Sequence, residues 1–143
     1  MKRLILPFVL CLGTVGCDAA ADGNDKGKNA EAVYEIVFRA ELKEAKDGAA
    51  HFLSVDNKDI GPELLAKLKK TWPALQPWSK RPEPKGKDRV VHIGVHDLKW
   101  IDRNTAEVRG GFSNGIDGRI SGYRIIQRNG AWVIESVKVV AQS

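Results

Sequence analysis

Cysteine is the first thing this chain has little of. Its two, Cys11 and Cys17, both fall within the first 17 residues. Residues 30–143 therefore hold no disulfide framework, no thiolate metal site and no cysteine nucleophile. Long apolar runs are also missing. The longest, Leu4 to Val15, is interrupted by Pro7, Gly13 and Thr14 and is too short to span a bilayer as a permanent helix. There is no Gly-rich phosphate loop and no nucleophile elbow. Nor is there a basic stripe interleaved with stacking aromatics, so nucleic acid is not an expected partner. From Ala30 onward, 19 Lys and Arg face 15 Asp and Glu, a mild excess of four within the chain's net +5. With only three histidines and no ligand-spaced cluster, neither a metal nor another cofactor is expected.

The N-terminus is an address. Lys2-Arg3 precedes the apolar stretch, which ends Leu12-Gly13-Thr14-Val15-Gly16-Cys17. A short positive segment, an apolar segment and small residues make an export signal. The last residues resemble the lipobox of bacterial lipoproteins. The resemblance implies a diacylglyceryl group on Cys17 and cleavage after Gly16, so that residues 1–16 are a signal peptide. It places the protein on the extracytoplasmic side of a bacterial membrane, in the cell envelope. An ordinary secretory signal cleaved after Ala19 or Ala21 is the alternative. Residues 17–29 are polar and Gly-containing and read as a flexible tether.

Residues 30–143 read as one α+β domain. Asn29 suits the cap of a helix over 30–46, with Val33, Ile36, Val37 and Ala40 on its apolar face and Glu41 assigned to the polar side. Asp47-Gly48 stops it. A strand over 50–55 follows, closed by Asp56-Asn57-Lys58, and then a short helix led by Pro62. Residues 71–87 carry Pro73, Pro77, Pro82 and Pro84 and read as irregular. Their Trp72 and Trp78 either pack down onto the core or form the lip of a ligand pocket.

Four strands in an antiparallel meander close the chain. A three-residue turn at Asp102-Arg103-Asn104, with Asn104 left-handed, pairs Lys99 with Glu107, Leu98 with Val108 and Asp97 with Arg109. Asn129-Gly130 predicts a tight hairpin that puts Tyr123, Ile125, Trp132 and Ile134 on the core side and Arg124 and Glu135 outside. Ile126, Val133 and Val137 then leave the outer side apolar, a contact surface for a partner or for a second copy in a homodimer.

The stretches Trp100-Ile-Asp-Arg-Asn-Thr-Ala106-Glu-Val108, Tyr123-Arg-Ile and Arg128-Asn-Gly-Ala-Trp132-Val-Ile134 resemble the nuclear-transport-factor-2-like, cystatin-like superfamily and small bacterial envelope proteins of that type. The resemblance implies an N-terminal helix packed on a curved antiparallel sheet, a cone with a cavity. Some of its members are isomerases or dehydratases, and many are binding modules.

The candidate catalytic residues are His92 and His96, whose imidazoles titrate near neutrality. With no bulge in their strand they share the cavity side with Leu98 and Trp100. A bulge near His96-Asp97 instead turns Val91, Ile93 and Val95 inward and the histidines out. The bulged arrangement is favoured, because the valines want burial. Tyr34, Trp72, Trp78 and Tyr123 are the candidate binding residues. The expected function is a non-catalytic, lipid-anchored envelope module that binds a protein or a small ligand. An isomerase- or dehydratase-like enzyme and a membrane-located immunity protein are the alternatives.

Overall fold

The computed structural model describes residues 23–45, 50–83 and 90–143. Cys17 and the helix stop at Asp47-Gly48 lie outside the described residues. The chain runs α1 (Gly23–Glu44), β1 (His51–Val55), β2 (Lys58–Asp59), α2 (Pro62–Lys69), β3 (Gln76–Pro77), a 3-10 turn at Trp78–Lys80, then β4 (Val91–Asp102), β5 (Thr105–Ser113), β6 (Gly118–Arg128) and β7 (Ala131–Gln142). This is an α+β arrangement of two helices on an open sheet of order β2-β1-β4-β5-β6-β7, with β3 beside β1. Among the described residues no helix is long and apolar enough to cross a membrane.

The last four strands form the expected antiparallel meander. The sheet is not wholly antiparallel, because β1 lies parallel to both β4 and β3. That placement depends on the crossover through α2, a long-range choice that strand patterning does not encode.

Helix α1 starts at Gly23, so residues 23–29, read as tether, are helical and Asn29 is not a cap. Extending a formed helix adds a hydrogen bond per residue without a new nucleus. A tertiary contact reinforces it, since Trp132 Nε1–H donates to Asn29 Oδ1 at 3.4 Å. Val33, Val37 and Phe38 are fully buried and meet Ile93, Val95, Val108 and Ile125 of the sheet in one core. Gly110 makes this approach possible: a Cβ there would collide with Val37 Cγ1.

Two bulges in β4 settle which side chains reach that core. Asp97 sits at φ 58°, and the β4–β5 register shifts between His96 and Lys99. One extra residue inverts the alternation. Ile93 and Val95 therefore point inward before the bulge, and Leu98 and Trp100 still pack on the core after it. Asp56 Oδ1 accepts the Asp97 N–H at 3.1 Å, and the Asp97 carboxylate contacts His96 Nδ1 at 3.0 Å and Arg109 Nη1 at 3.3 Å. The expected backbone pairs of Asp97 and Leu98 are thus displaced, and Arg109 pairs with His96.

A second shift, between Trp100 and Asp102, lets Asp102 pair with Thr105. The turn then holds two residues, Arg103 and Asn104, and Asn104 is not left-handed. Asp102 Oδ1 accepts the Asn104 N–H at 2.7 Å and closes the turn locally.

The Asn129-Gly130 hairpin forms with φ 51° and 78° and pairs as expected through Ile125–Ile134. Beyond it a register shift sets Tyr123 opposite Val137 and Arg124 opposite Ser136. Tyr123 and Ile125 are buried, and Arg124 Nε still reaches Glu135 at 2.9 Å.

Glu41 departs most from expectation. It is fully buried, four residues on from Val37 and eight from Val33, and so belongs to the apolar stripe rather than the polar face. Tyr123 donates its hydroxyl to Glu41 Oε1 at 2.5 Å, and Arg119 Nη2 donates to Oε2 at 3.2 Å. Removing one partner of such a group leaves buried charge uncompensated. Glu41→Ala is expected to lower the free energy of unfolding by about 3 kcal/mol in a denaturant titration, the low end of the range because Arg119 is partly solvated.

Burial, and then the Glu41 carboxylate, hold the Tyr123 pKa above its ordinary 10.0. The folded protein keeps a proton there that the unfolded chain releases, so this contribution is complete below pH 10.0 and is lost as pH rises beyond it. Tyr123→Phe is expected to remove that alkaline decline, read from unfolding midpoints across the pH range.

Candidate histidine hollow and outer sheet face

With the bulge at Asp97, the side chains that alternate with Ile93 and Val95 point away from α1. His92, Gly94 and His96 therefore lie on the outer face of the sheet. Parallel pairing sets Phe52 beside His92 and Ser54 beside Gly94, and Ser54 Oγ and His92 Nε2 share a hydrogen bond of 2.7 Å.

The short β3 aligns with Phe52 and Leu53 and brings the following 3-10 turn over the same face. Asp59 Oδ1 pins that turn by accepting the Ser79 N–H at 2.6 Å, and hydrogen bonding from the Ser79 side chain first, then from its N–H, lowers the Asp59 pKa. Trp78 then stacks on His92 with centroids 4.0 Å apart, and the Arg81 guanidinium lies 3.6 Å above the Trp78 ring. Three planar groups are thus layered on the outer face, where Arg81 gains cation–π contact with an indole.

Beside this stack lies a hollow of about 180 Å³, lined by Ser54, Asn57, His92, Gly94, His96 and Gly111 among others. Its size comes from the directly paired Gly94 and Gly111, which put no side chains between the two histidines. A Cβ on Gly94 would press on the His92 ring and Ser54 Oγ at 3.4 Å. Across β4–β7 a second, open depression of about 440 Å³ is lined by Asp97, Lys99, Arg109, Gly122, Arg124 and Lys138 among others.

Ser54 is 1% exposed, and its hydroxyl is engaged by His92. No carboxylate hydrogen-bonds His92 among the described residues. The Ser54 contact and the Trp78 stack fix the imidazole instead. Burial first, then the charge of Arg81 and the neighbouring His96, hold the His92 pKa below its ordinary 6.5. Among the described residues no cluster of three or more His, Cys, Asp or Glu could hold a metal ion.

The sequence candidates separate in space. His92, His96 and Trp78 meet on the outer face. Tyr123 is inside, bound to Glu41. Tyr34 and Trp72 pack against the margin of the core. Burial and the Asp56 charge raise the Tyr34 pKa, and Trp72 carries Arg39 at 5.8 Å. Ser54, Asn57 and Arg81 were not singled out from sequence. A buried serine in a strand has no pattern of its own, and Arg81 looked like one cation among several in a proline-rich loop. Compared with known families, curated proteins and solved structures, the chain matches none.

An imidazole held neutral in this way should titrate late on acidification. The His92 ring protons are expected to show an NMR midpoint below 6.5, and Arg81→Gln should move it back upward by removing the neighbouring guanidinium charge. The unfolded chain takes up this proton first. His92 therefore favours the fold above pH 6.5, and that contribution is lost as pH falls through the folded midpoint.

Proposed function

We propose that this is a lipid-anchored bacterial envelope protein whose outer sheet face binds a protein or small ligand without catalysing a reaction. Residues 1–16 serve as the signal, Cys17 carries the lipid, and the folded domain belongs to the cystatin-like, nuclear-transport-factor-2-like kind. Two or three acyl chains make the anchor stable.

One observation carries the binding reading. The space between α1 and the sheet, where a cone of that kind would keep its cavity, is filled by Phe38, Glu41 and Tyr123, while the outer face is hollowed and lined with histidine and charge. An enzyme using His92 or His96 has a single contact in its favour, the Ser54–His92 hydrogen bond, and the burial of Ser54 counts against it. Of the half-exposed valines of β7, Val140 lies beside Gly122 and extends the outer contact surface toward the free edge of the sheet, where a homodimer or a foreign partner could add. Val137, expected outside, is set opposite the buried Tyr123 by the register shift at Glu135 and so lies with Val139 on the helix side.

Two experiments test this. Cys17→Ala is expected to move the protein from the membrane to the soluble fraction, and continued membrane association would remove the anchor. A photoreactive residue in place of Ile120, at the rim of the hollow, is expected to give a discrete adduct in intact cells, whereas the same residue in place of Lys70 on the far helix gives none. Equal labelling at both positions would sink the binding-face reading.

A further inference from the structure

The open depression across β4–β7 has a charge pattern that its own ion pairs do not exhaust. Its register is read directly from the strand pairing. One row across the sheet is Lys99, Glu107, Arg124 and Ser136, and the next is His96, Arg109, Gly122 and Lys138. Every one of these side chains projects from the outer face. Gly122 is the only one with no side chain, so the second row dips between Arg109 on β5 and Lys138 on β7. Space remains there: a Cβ on Gly122 would meet Val140 Cγ2 only at 3.5 Å.

The acids are already engaged. Asp97 is taken by Arg109 at 3.3 Å, and Glu107 by Arg124 at 3.0 Å, while Arg124 also holds Glu135 at 2.9 Å. Lys99 and Lys138 take part in no ion pair among the described residues. The lining therefore presents four cations against two carboxylates, with the two unneutralised ammoniums at opposite ends of the depression. A concave surface with an excess of one sign concentrates ligands of the other. A flat bilayer would rest on the long rim side chains and leave the Gly122 floor empty, whereas a narrow chain can enter.

We infer that this trough binds a linear oligoanion, a molecule bearing two or more phosphate or carboxylate groups along its length. It lies across strands β4 to β7 with its backbone over Gly122 and its anionic groups at Lys99, Lys138 and the Arg109 guanidinium. This rests on reading the outer face as the ligand-bearing one, and it names the chemistry of the ligand.

Calorimetric titration of the full chain in neutral detergent micelles tests it, with sodium tripolyphosphate in one arm and tricarballylate, which carries three carboxylates, in the other. Saturable binding is expected in at least one arm, and the tighter arm names the anionic group. Lys99→Gln with Lys138→Gln should weaken it about tenfold. Gly122→Leu should weaken it by filling the floor with all charges kept, and Lys69→Gln with Lys70→Gln on the other side of the molecule should leave it unchanged. Added salt should weaken it further. Absence of saturable binding in both arms overturns the inference, and so does an equal loss from the Lys69/Lys70 pair. Site-specific labelling at Ile120 together with no oligoanion binding would overturn the ligand class alone and leave the binding face standing.

Discussion

One residue in a left-handed conformation holds this molecule's two faces apart. Without the extra residue at Asp97, Ile93 and Val95 could not share the core side with Leu98 and Trp100, and one set would face water. The cost of a non-glycine residue at positive φ, about 1–3 kcal/mol, is offset by burying both sets. It is also compensated locally, since the Asp97 N–H goes to Asp56 and its carboxylate to Arg109 and His96. An aspartate suits this position because its short polar side chain tolerates the left-handed region.

From that bulge the division of labour follows. Inside, the helix approaches the sheet closely enough over Gly110 for Glu41 to reach Tyr123 and Arg119, and the space is filled. A buried carboxylate of this kind is a specifying device more than a source of net stability, because its desolvation largely cancels its Coulomb gain. It fixes the register of α1 on the sheet, since a shift by one residue would carry Glu41 into an apolar environment without donors. Outside, the same inversion leaves His92, Gly94 and His96 on an open surface, where paired glycines make a hollow and a proline-rich loop delivers Trp78 and Arg81. The loop had two readings, packed or ligand-facing. Trp72 packs against the margin of the core, and Trp78 stacks on His92.

Local chemistry was legible in this chain. The Asn129-Gly130 hairpin, the Pro62-led helix, the four-strand meander and the inward set Tyr123, Ile125, Trp132 and Ile134 follow from positive-φ turn residues, a pre-set proline φ and alternation of side chains, all of which act over a few residues. The bulge was legible as one of two arrangements, because two apolar sets of opposite parity on one strand require it. Only the tertiary structure decided the rest. Glu41 reads as a solvated helix acid until a tyrosine and an arginine some eighty residues away supply donors. The parallel seat of β1 against β4, which joins Ser54 to His92, and the placement of Trp78 over that imidazole depend on a crossover whose closure no local pattern records. A residue's intrinsic preference spans a turn or two of chain, whereas burial of a charge or the shape of a hollow is set by what the rest of the fold brings beside it.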